Sequence, residues 1–117
     1  MLGAIIGDTY GSTYEFNNSK NLDEIVRFRE GSYPTDDSVM TVAVAKALMN
    51  TKGLPDEIVK NELIDSMHFY GHLFPDAGYG QTFCRWIEGN YRNAYNSWGN
   101  GSGMRVSSVG WLFDTLP

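Results

Sequence analysis

The sequence is poor in several features that would have fixed its class at once. Cys84 is its single cysteine, so no internal disulfide can form. A lone thiol suits a reducing compartment, and a nucleophilic role would require a His and an orienting polar group that spacing alone does not supply. No apolar run approaches the roughly eighteen residues of a membrane span. "MLGAII" carries no basic stretch before it meets Asp8, so no secretory signal is expected. Basic residues are outnumbered, nine Lys and Arg against fourteen Asp and Glu, which leaves a net charge of −5. That balance argues against a nucleic-acid-backbone binder, which would present a basic stripe. Internal repeats, low-complexity tracts and convincing strand patterns are also missing. What remains is the expectation of one acidic, all-α, cytoplasmic domain with neither nucleic acid nor membrane as partner.

What is present is helical periodicity. The first helix is expected over Leu2–Tyr14, with Gly3, Gly7 and Gly11 along one side. Glycines cost a helix about 1 kcal/mol each relative to Ala, so they call for a packing reason such as a closely approaching backbone. Asp8, Ser12 and Glu15 form a polar stripe beside them. Together the stripes suggest a buried helix lining a site, against the alternative of a solvated face. A short helical turn is expected around Leu22–Phe28. "DDSVMTVAVAKALMN" then predicts a helix from Asp36 to Asn50, apolar nearly all round and therefore central. Gly53 suits its C′ position, and Pro55 and Asp56 start an amphipathic helix expected to reach Phe69. A glycine-bearing loop and a short helix over "QTFCRWIEG" follow. After the polar, aromatic "NYRNAYNSWGNGSG" loop, a last helix is expected to restart in "MRVSSVGWLFDTLP".

The run Thr35-Asp36-Asp37 supports two readings. One is an N-cap, with an oxygen accepting an orphan N–H and carboxylates favouring the positive end of the helix. The other is a ligand set for a hard cation, which wants several oxygens from hydroxyls and carboxylates. A cap needs one such residue and the run has three, but the two roles are compatible. Gly99-Asn100-Gly101-Ser102-Gly103 resembles a phosphate cradle, although it lacks the Walker lysine and also reads as a flexible turn. Arg105 could pair with phosphate or with a carboxylate. His68 and His72 have the i, i+4 spacing of a metal pair, but no HExxH glutamate lies between them. Gly71 points to a helix end there, so they read as packing or surface histidines. Tyr91, Tyr95 and Trp98 could stack on an adenine, with core packing the better default.

In order, "GAIIGDTYGSTYEF", "PTDDSVMT", "FPDAGYGQTFCRWI" and "GNGSGMRVSSVGWL" span nearly the whole chain. Together they resemble the N-terminal half of an ADP-ribosylglycohydrolase of the dinitrogenase-reductase-activating type. The resemblance implies an orthogonal all-α domain with a dinuclear Mg²⁺ or Mn²⁺ centre. It implies hydrolysis of the bond joining ADP-ribose to a side chain or small molecule, with ADP-ribose or an ADP-ribosylated protein as partner. By position, Thr35, Asp36 and Asp37 match the first metal-ligand run, and Glu15 matches an acidic residue beside the metals and the distal ribose. Gly78, Tyr79 and Gly80 match a substrate-lining loop, while Gly99, Asn100, Gly101 and Ser102 match the diphosphate loop, with Arg105 close behind. Asp36 or Glu15 would be the catalytic proton acceptor. Gly103 stands where the family usually has Ala. The family's second ligand run, an Asp-x-Asp, has no counterpart in these 117 residues. The metal is therefore expected to bind weakly or not at all. Apolar surface is expected to be left for self-association or a complementing chain. A non-catalytic ADP-ribose-binding module and a structural protein on the same scaffold are the alternatives.

Overall fold

Every regular element among the described residues, 1–26 and 28–113, is helical in the computed structural model. The helices are α1 Leu2–Gly11, α2 Asp36–Thr51, α3 Asp56–Leu73, α4 Gln81–Glu88, α5 Gly101–Met104 and α6 Val109–Leu112. Single 3₁₀ turns at Ser12–Tyr14 and Leu22–Glu24 punctuate the connection between α1 and α2. No helix among these residues is long and apolar enough to cross a membrane.

Helix α2 is central for the reason its composition suggests. Met40, Ala43, Ala45 and Ala47 are essentially solvent-free, and Val44 and Leu48 are buried with them. Thr35 caps its start, and Gly53, at φ +81°, takes the left-handed conformation after its end that an L side chain resists. The chain returns in α3 as an antiparallel hairpin. Ser66 Oγ donates to the Ala43 carbonyl at 2.7 Å, and Asn50 Nδ2 reaches Glu62 at 2.8 Å. Helix α4 seals the far side of α3 through buried Trp86 and Ile87. The His68 ring stacks on Trp86 with centroids 4.1 Å apart, and its Nε2 lies 2.9 Å from the Tyr91 carbonyl.

Several expectations are corrected. Gly71 does not end α3, which continues to Leu73. A β-carbon at Gly71 would sit 2.5 Å from Ile87 Cδ1, so this glycine is a packing notch that lets α4 approach. The closing stretch does not restart one helix: it forms the two single turns α5 and α6, separated at Arg105–Ser108. Positions 114–117 of that expectation lie outside the described residues, as does Arg27 of the expected turn. That turn forms, as 3₁₀, only at Leu22–Glu24. Helix α1 is not buried: none of its residues is, and among the described residues nothing beyond the helix's own backbone and the chain neighbours lies within 4 Å of a β-carbon placed at Gly3, Gly7 or Gly11.

The molecule is loosely drawn for its length. Its radius of gyration is 15.5 Å, where a closed domain of this length has about 13 Å. Its accessible surface is 8503 Å², against about 6,400 Å² for a compact chain of the same mass. Phe16, Leu22, Phe69, Trp98 and Trp111 are among the exposed large apolar side chains. The exposed apolar surface expected from the sequence is therefore present.

Gly71→Ala should lower stability by about 1–3 kcal/mol through overpacking against Ile87. Ile87→Val should recover part of that loss in the double variant. Urea unfolding measures both, and an unchanged midpoint for Gly71→Ala would show that α4 does not depend on the notch.

Candidate functional site

The polar stripe of α1 explains how the site is assembled. The Asp8 carboxylate accepts from the Thr35 amide at 2.7 Å and the Ser38 amide at 3.1 Å, and also from both side-chain hydroxyls. Thr35 and Ser38 are both buried. An acid on α1 thus satisfies orphan donors at the start of α2, a cap delivered from another helix. Ser12 extends the connection by accepting the Tyr33 amide at 3.2 Å.

With Thr35 and Ser38 turned toward α1, Asp36 and Asp37 face the other way into a cleft of about 640 Å³. Glu15 lines it from the end of the first motif, Gly78 and Gly80 from the loop before α4, and Gly99, Asn100, Gly101 and Arg105 from the last motif. The Asp36 amide donates to the Ala77 carbonyl at 2.8 Å, which pins that loop beside the carboxylates. Gly78 sits at φ +97°, the left-handed backbone that favours glycine. Tyr79, Ser102 and Thr35 do not line this cleft. Tyr79 packs its ring on Phe83 at 5.5 Å and buries its hydroxyl without a partner. Ser102 lines an adjoining cavity of about 490 Å³ that shares Arg105 with the cleft.

Among the described residues no other residue donates a hydrogen bond to the Asp36 or Asp37 carboxylate and neither forms an ion pair; the one ion pair is Arg92 with Asp65. Burial, then the neighbouring Asp37 charge, raises the Asp36 pKa to about 6, with Arg105 pulling the other way. Asp37 is raised as well, by burial and by Asp8. Burial pushes the Tyr79 phenol up to about 12, with the Asp36 charge adding to it. Arg105 lies over the Phe83 ring at 5.0 Å and donates to Met67 Sδ at 3.4 Å, while its buried Nε has no partner. Burial lowers its pKa and the two aspartates raise it. A half-buried guanidinium with most of its fork unused is a ready partner for an anion.

The donor set fits a divalent cation in part. Asp36 and Asp37 offer two unpaired carboxylates, while Thr35 spends its hydroxyl proton on Asp8 and turns a lone pair toward the Asp37 amide at 3.4 Å. A hard cation takes six or more oxygens as a rule, so this is one side of a shell. No group of three or more His, Cys, Asp or Glu gathers among the described residues. That includes the histidine pair, which packs as expected, and Cys84, whose thiol donates to the Tyr79 carbonyl at 3.5 Å.

A family model for ADP-ribosylglycohydrolase matches residues 1–116. The chain belongs to the ADP-ribosylglycohydrolase family. Among curated relatives of this family it is similar to the ADP-ribosylhydrolase ARH3 of Xenopus tropicalis, 24% identical over 141 residues, covering 100% of this chain and 39% of that protein. The human ADP-ribosylhydrolase ARH3 is 24% identical over 148 residues, covering 99% of this chain and 39% of the relative. The mouse protein of the same name is 23% identical over 148 residues, with 99% and 38% covered. The chain thus spans about two fifths of the length of the curated relatives it matches. No solved structure matches it at a significant level.

Sequence reasoning missed several residues of this cleft. Phe16, Gln81, Thr82, Phe83, Asn96, Ser97 and Met104 also line it, and Trp98 does so while fully exposed, overturning core packing as its role. Tyr95 lines it too, whereas Tyr91 lies elsewhere, against Gly89. A surface tryptophan beside a glycine-rich loop was the available signal for the aromatic wall.

Asp8→Ala should cost about 2–4 kcal/mol, because four donors lose one acceptor and two of the groups are buried side chains. Urea unfolding and the loss of α2 amide protection in hydrogen exchange measure it. The raised Asp36 pKa means that the fold favours the protonated acid. Its contribution is therefore full below pH 3.8 and is lost as pH rises through about 6. In chelator-containing buffer the wild type should be less stable at pH 7 than at pH 5, by about 1 kcal/mol after discounting for partial exposure. Asp36→Asn should flatten that slope, and a slope that survives the substitution would assign it to another group.

Proposed function

We propose that this chain carries the ADP-ribose-binding face and one side of the metal shell of an ADP-ribosyl hydrolase, with hydrolysis of an ADP-ribosyl bond as the reaction it serves. The observation behind this reading is convergence. Glu15, Asp36, Asp37, Gly78, Gly80, Gly99, Asn100, Gly101 and Arg105 come from four separate stretches and meet on one cleft. Its size suits a ligand of this class, since such pockets run about 300–1,000 Å³.

Each part has a chemical assignment. The loop from Asn100 to Ser102 would offer backbone N–H groups to a diphosphate, the Gly99 amide being taken by Ser97 Oγ at 3.2 Å, and Arg105 would supply the countercharge with its unused donors. At Gly101 a β-carbon would come 3.0 Å from Arg105 Nη2, so the guanidinium lies close against the loop at this glycine. Helix α5, four residues long, is too short to add much dipole of its own. Tyr95 and Trp98 provide aromatic faces for a base. Glu15, on the cleft wall, would bond ribose hydroxyls. Asp36, with its pKa raised to about 6, would take a proton from a water adding at the anomeric carbon and pass it to the leaving nitrogen or oxygen as that bond breaks. Mg²⁺ or Mn²⁺ on Asp36 and Asp37, with the remaining Thr35 lone pair, would supply Lewis-acid charge stabilisation.

A second reading, an ADP-ribose-binding module without turnover, draws on the Gly99–Gly101 loop, Tyr95, Trp98 and Arg105, which line the cleft and need no metal to hold a ligand. Two measurements separate the readings. Calorimetry with ADP-ribose should show binding that Mg²⁺ strengthens, that Trp98→Ala weakens about tenfold, and that loses its Mg²⁺ dependence in Asp37→Asn. Absence of binding with and without metal would sink both ligand readings and leave a structural role. Release of ADP-ribose from an arginine- or serine-modified peptide, lost in Asp36→Asn, distinguishes the hydrolase from the binding module.

A further inference from the structure

The loop that carries the aromatic wall of the cleft is fastened at its ends and hardly at all between them. Among the described residues, the bond from the Gly99 amide to Ser97 Oγ is the only hydrogen bond made between Ala94 and Gly99. Tyr95, Ser97 and Gly99 line a cavity of about 490 Å³ that Ile64 and Met67 of α3 line as well, so the loop stands off that helix. The fastening lies just before it, in three consecutive residues. The Tyr91 amide donates to the Trp86 carbonyl at 3.1 Å, and the Tyr91 carbonyl meets His68 Nε2 at 2.9 Å. Arg92 pairs with Asp65 and donates from Nη2 to the Asn61 side chain at 3.2 Å. The Asn93 carbonyl accepts from Trp86 Nε1 at 3.0 Å. Helices α3 and α4 thus grip one end of the loop, and α5 begins at the other.

We propose that Arg92 is a positioning residue for ADP-ribose: through Asp65 and Asn61 it holds the Tyr95–Trp98 stretch where a base can stack, without touching the ligand. Arg92 does not line the cleft, and its charge is already met by Asp65, unlike that of Arg105. It is therefore not a second phosphate ligand. The holds at Tyr91 and Asn93 use the backbone, which any residue supplies, whereas the hold at Arg92 depends on its side chain. Asn61 and Asp65 lie one turn apart on α3, so a planar guanidinium that bonds both fixes the direction of the chain as well as its distance. A loop with few bonds of its own samples many shapes, and a ligand binds only the fraction with the right one. Apparent affinity falls by that fraction, and a fastened end raises it. An exposed ion pair that adds little to global stability can in this way set the affinity of a site. This role presupposes the ADP-ribose reading of the cleft.

The test compares wild type with Arg92→Leu, which loses the donors, and with the charge-swapped pair Asp65→Arg, Arg92→Glu, which restores the ion pair in reverse. Both side chains are about half-exposed, so all three chains should keep a cooperative thermal transition. Chymotrypsin reports the loop without any ligand, through cleavage after Tyr95 and Trp98 mapped by mass spectrometry. Arg92→Leu should be cut about fivefold faster there, and calorimetry should show its Kd for ADP-ribose raised about fivefold. The swapped pair should return both values most of the way to wild type. Unchanged cleavage in Arg92→Leu would overturn the clamp, and faster cleavage with unchanged affinity would overturn the positioning role while the ADP-ribose reading stood. A swapped pair that restores neither value would overturn the ion pair as the cause. An Arg92→Leu chain that loses its transition would make the pair part of the fold's support and overturn the proposal as well. Wild type that binds no ADP-ribose would overturn the ligand reading itself and this role with it.

Discussion

One carboxylate holds the arrangement together. Asp8 accepts from the amides and hydroxyls of Thr35 and Ser38, and so joins α1, which buries no side chain of its own, to the start of the central helix. The same contact fixes the rotation of the first turn of α2. With Thr35 and Ser38 drawn inward, helix geometry directs Asp36 and Asp37 to the opposite side, where Glu15 and the glycine loops meet them. The cap of α2 and the orientation of the site are one piece of physics.

Once turned into the cleft, the two aspartates are poorly compensated. Burial raises both pKa values, with the Asp37 charge adding to it at Asp36 and the Asp8 charge at Asp37, and Arg105 attracts them without forming an ion pair. Arg105 is itself held by an aromatic face and a thioether, neither of which neutralises it. A cleft lined by unpaired acids and an unpaired guanidinium is electrostatically unfinished among the described residues. Such a site gains from a cation and an anion together, and the proposed metal and diphosphate ligand would supply both charges.

The helices were legible where periodicity and caps agreed. Thr35, Gly53 and Pro55 mark their boundaries in the sequence as they do in space, because a cap depends on its immediate neighbours. Gly71 misled for the opposite reason: its role lies in a contact with Ile87, sixteen positions on, which a local signal does not contain. The glycines of α1 pointed to a close approach, yet no other segment among the described residues lies near them. The closing segment carried apolar residues without caps and formed two isolated turns. Most of the cleft was visible from motif order, since each motif brings its own glycine or acid. Trp98 was visible only as one of two readings, a base-stacking face or core, with core the better default, because the exposure of an aromatic residue in a loop is not written in its neighbours.

The sequence by itself determined an all-α chain, an apolar central helix with acids at its start, and membership in its family, since these rest on local spacing and motif order. Only the tertiary structure decided that Asp8, twenty-seven positions before Thr35, is the acceptor that turns Asp36 and Asp37 into the cleft. It also decided that Tyr79 lies behind its loop and that one face of α2 stays uncovered. Each of these depends on which side of a helix meets which neighbour. That choice is set by packing and hydrogen bonding between distant segments, and no window of sequence records it.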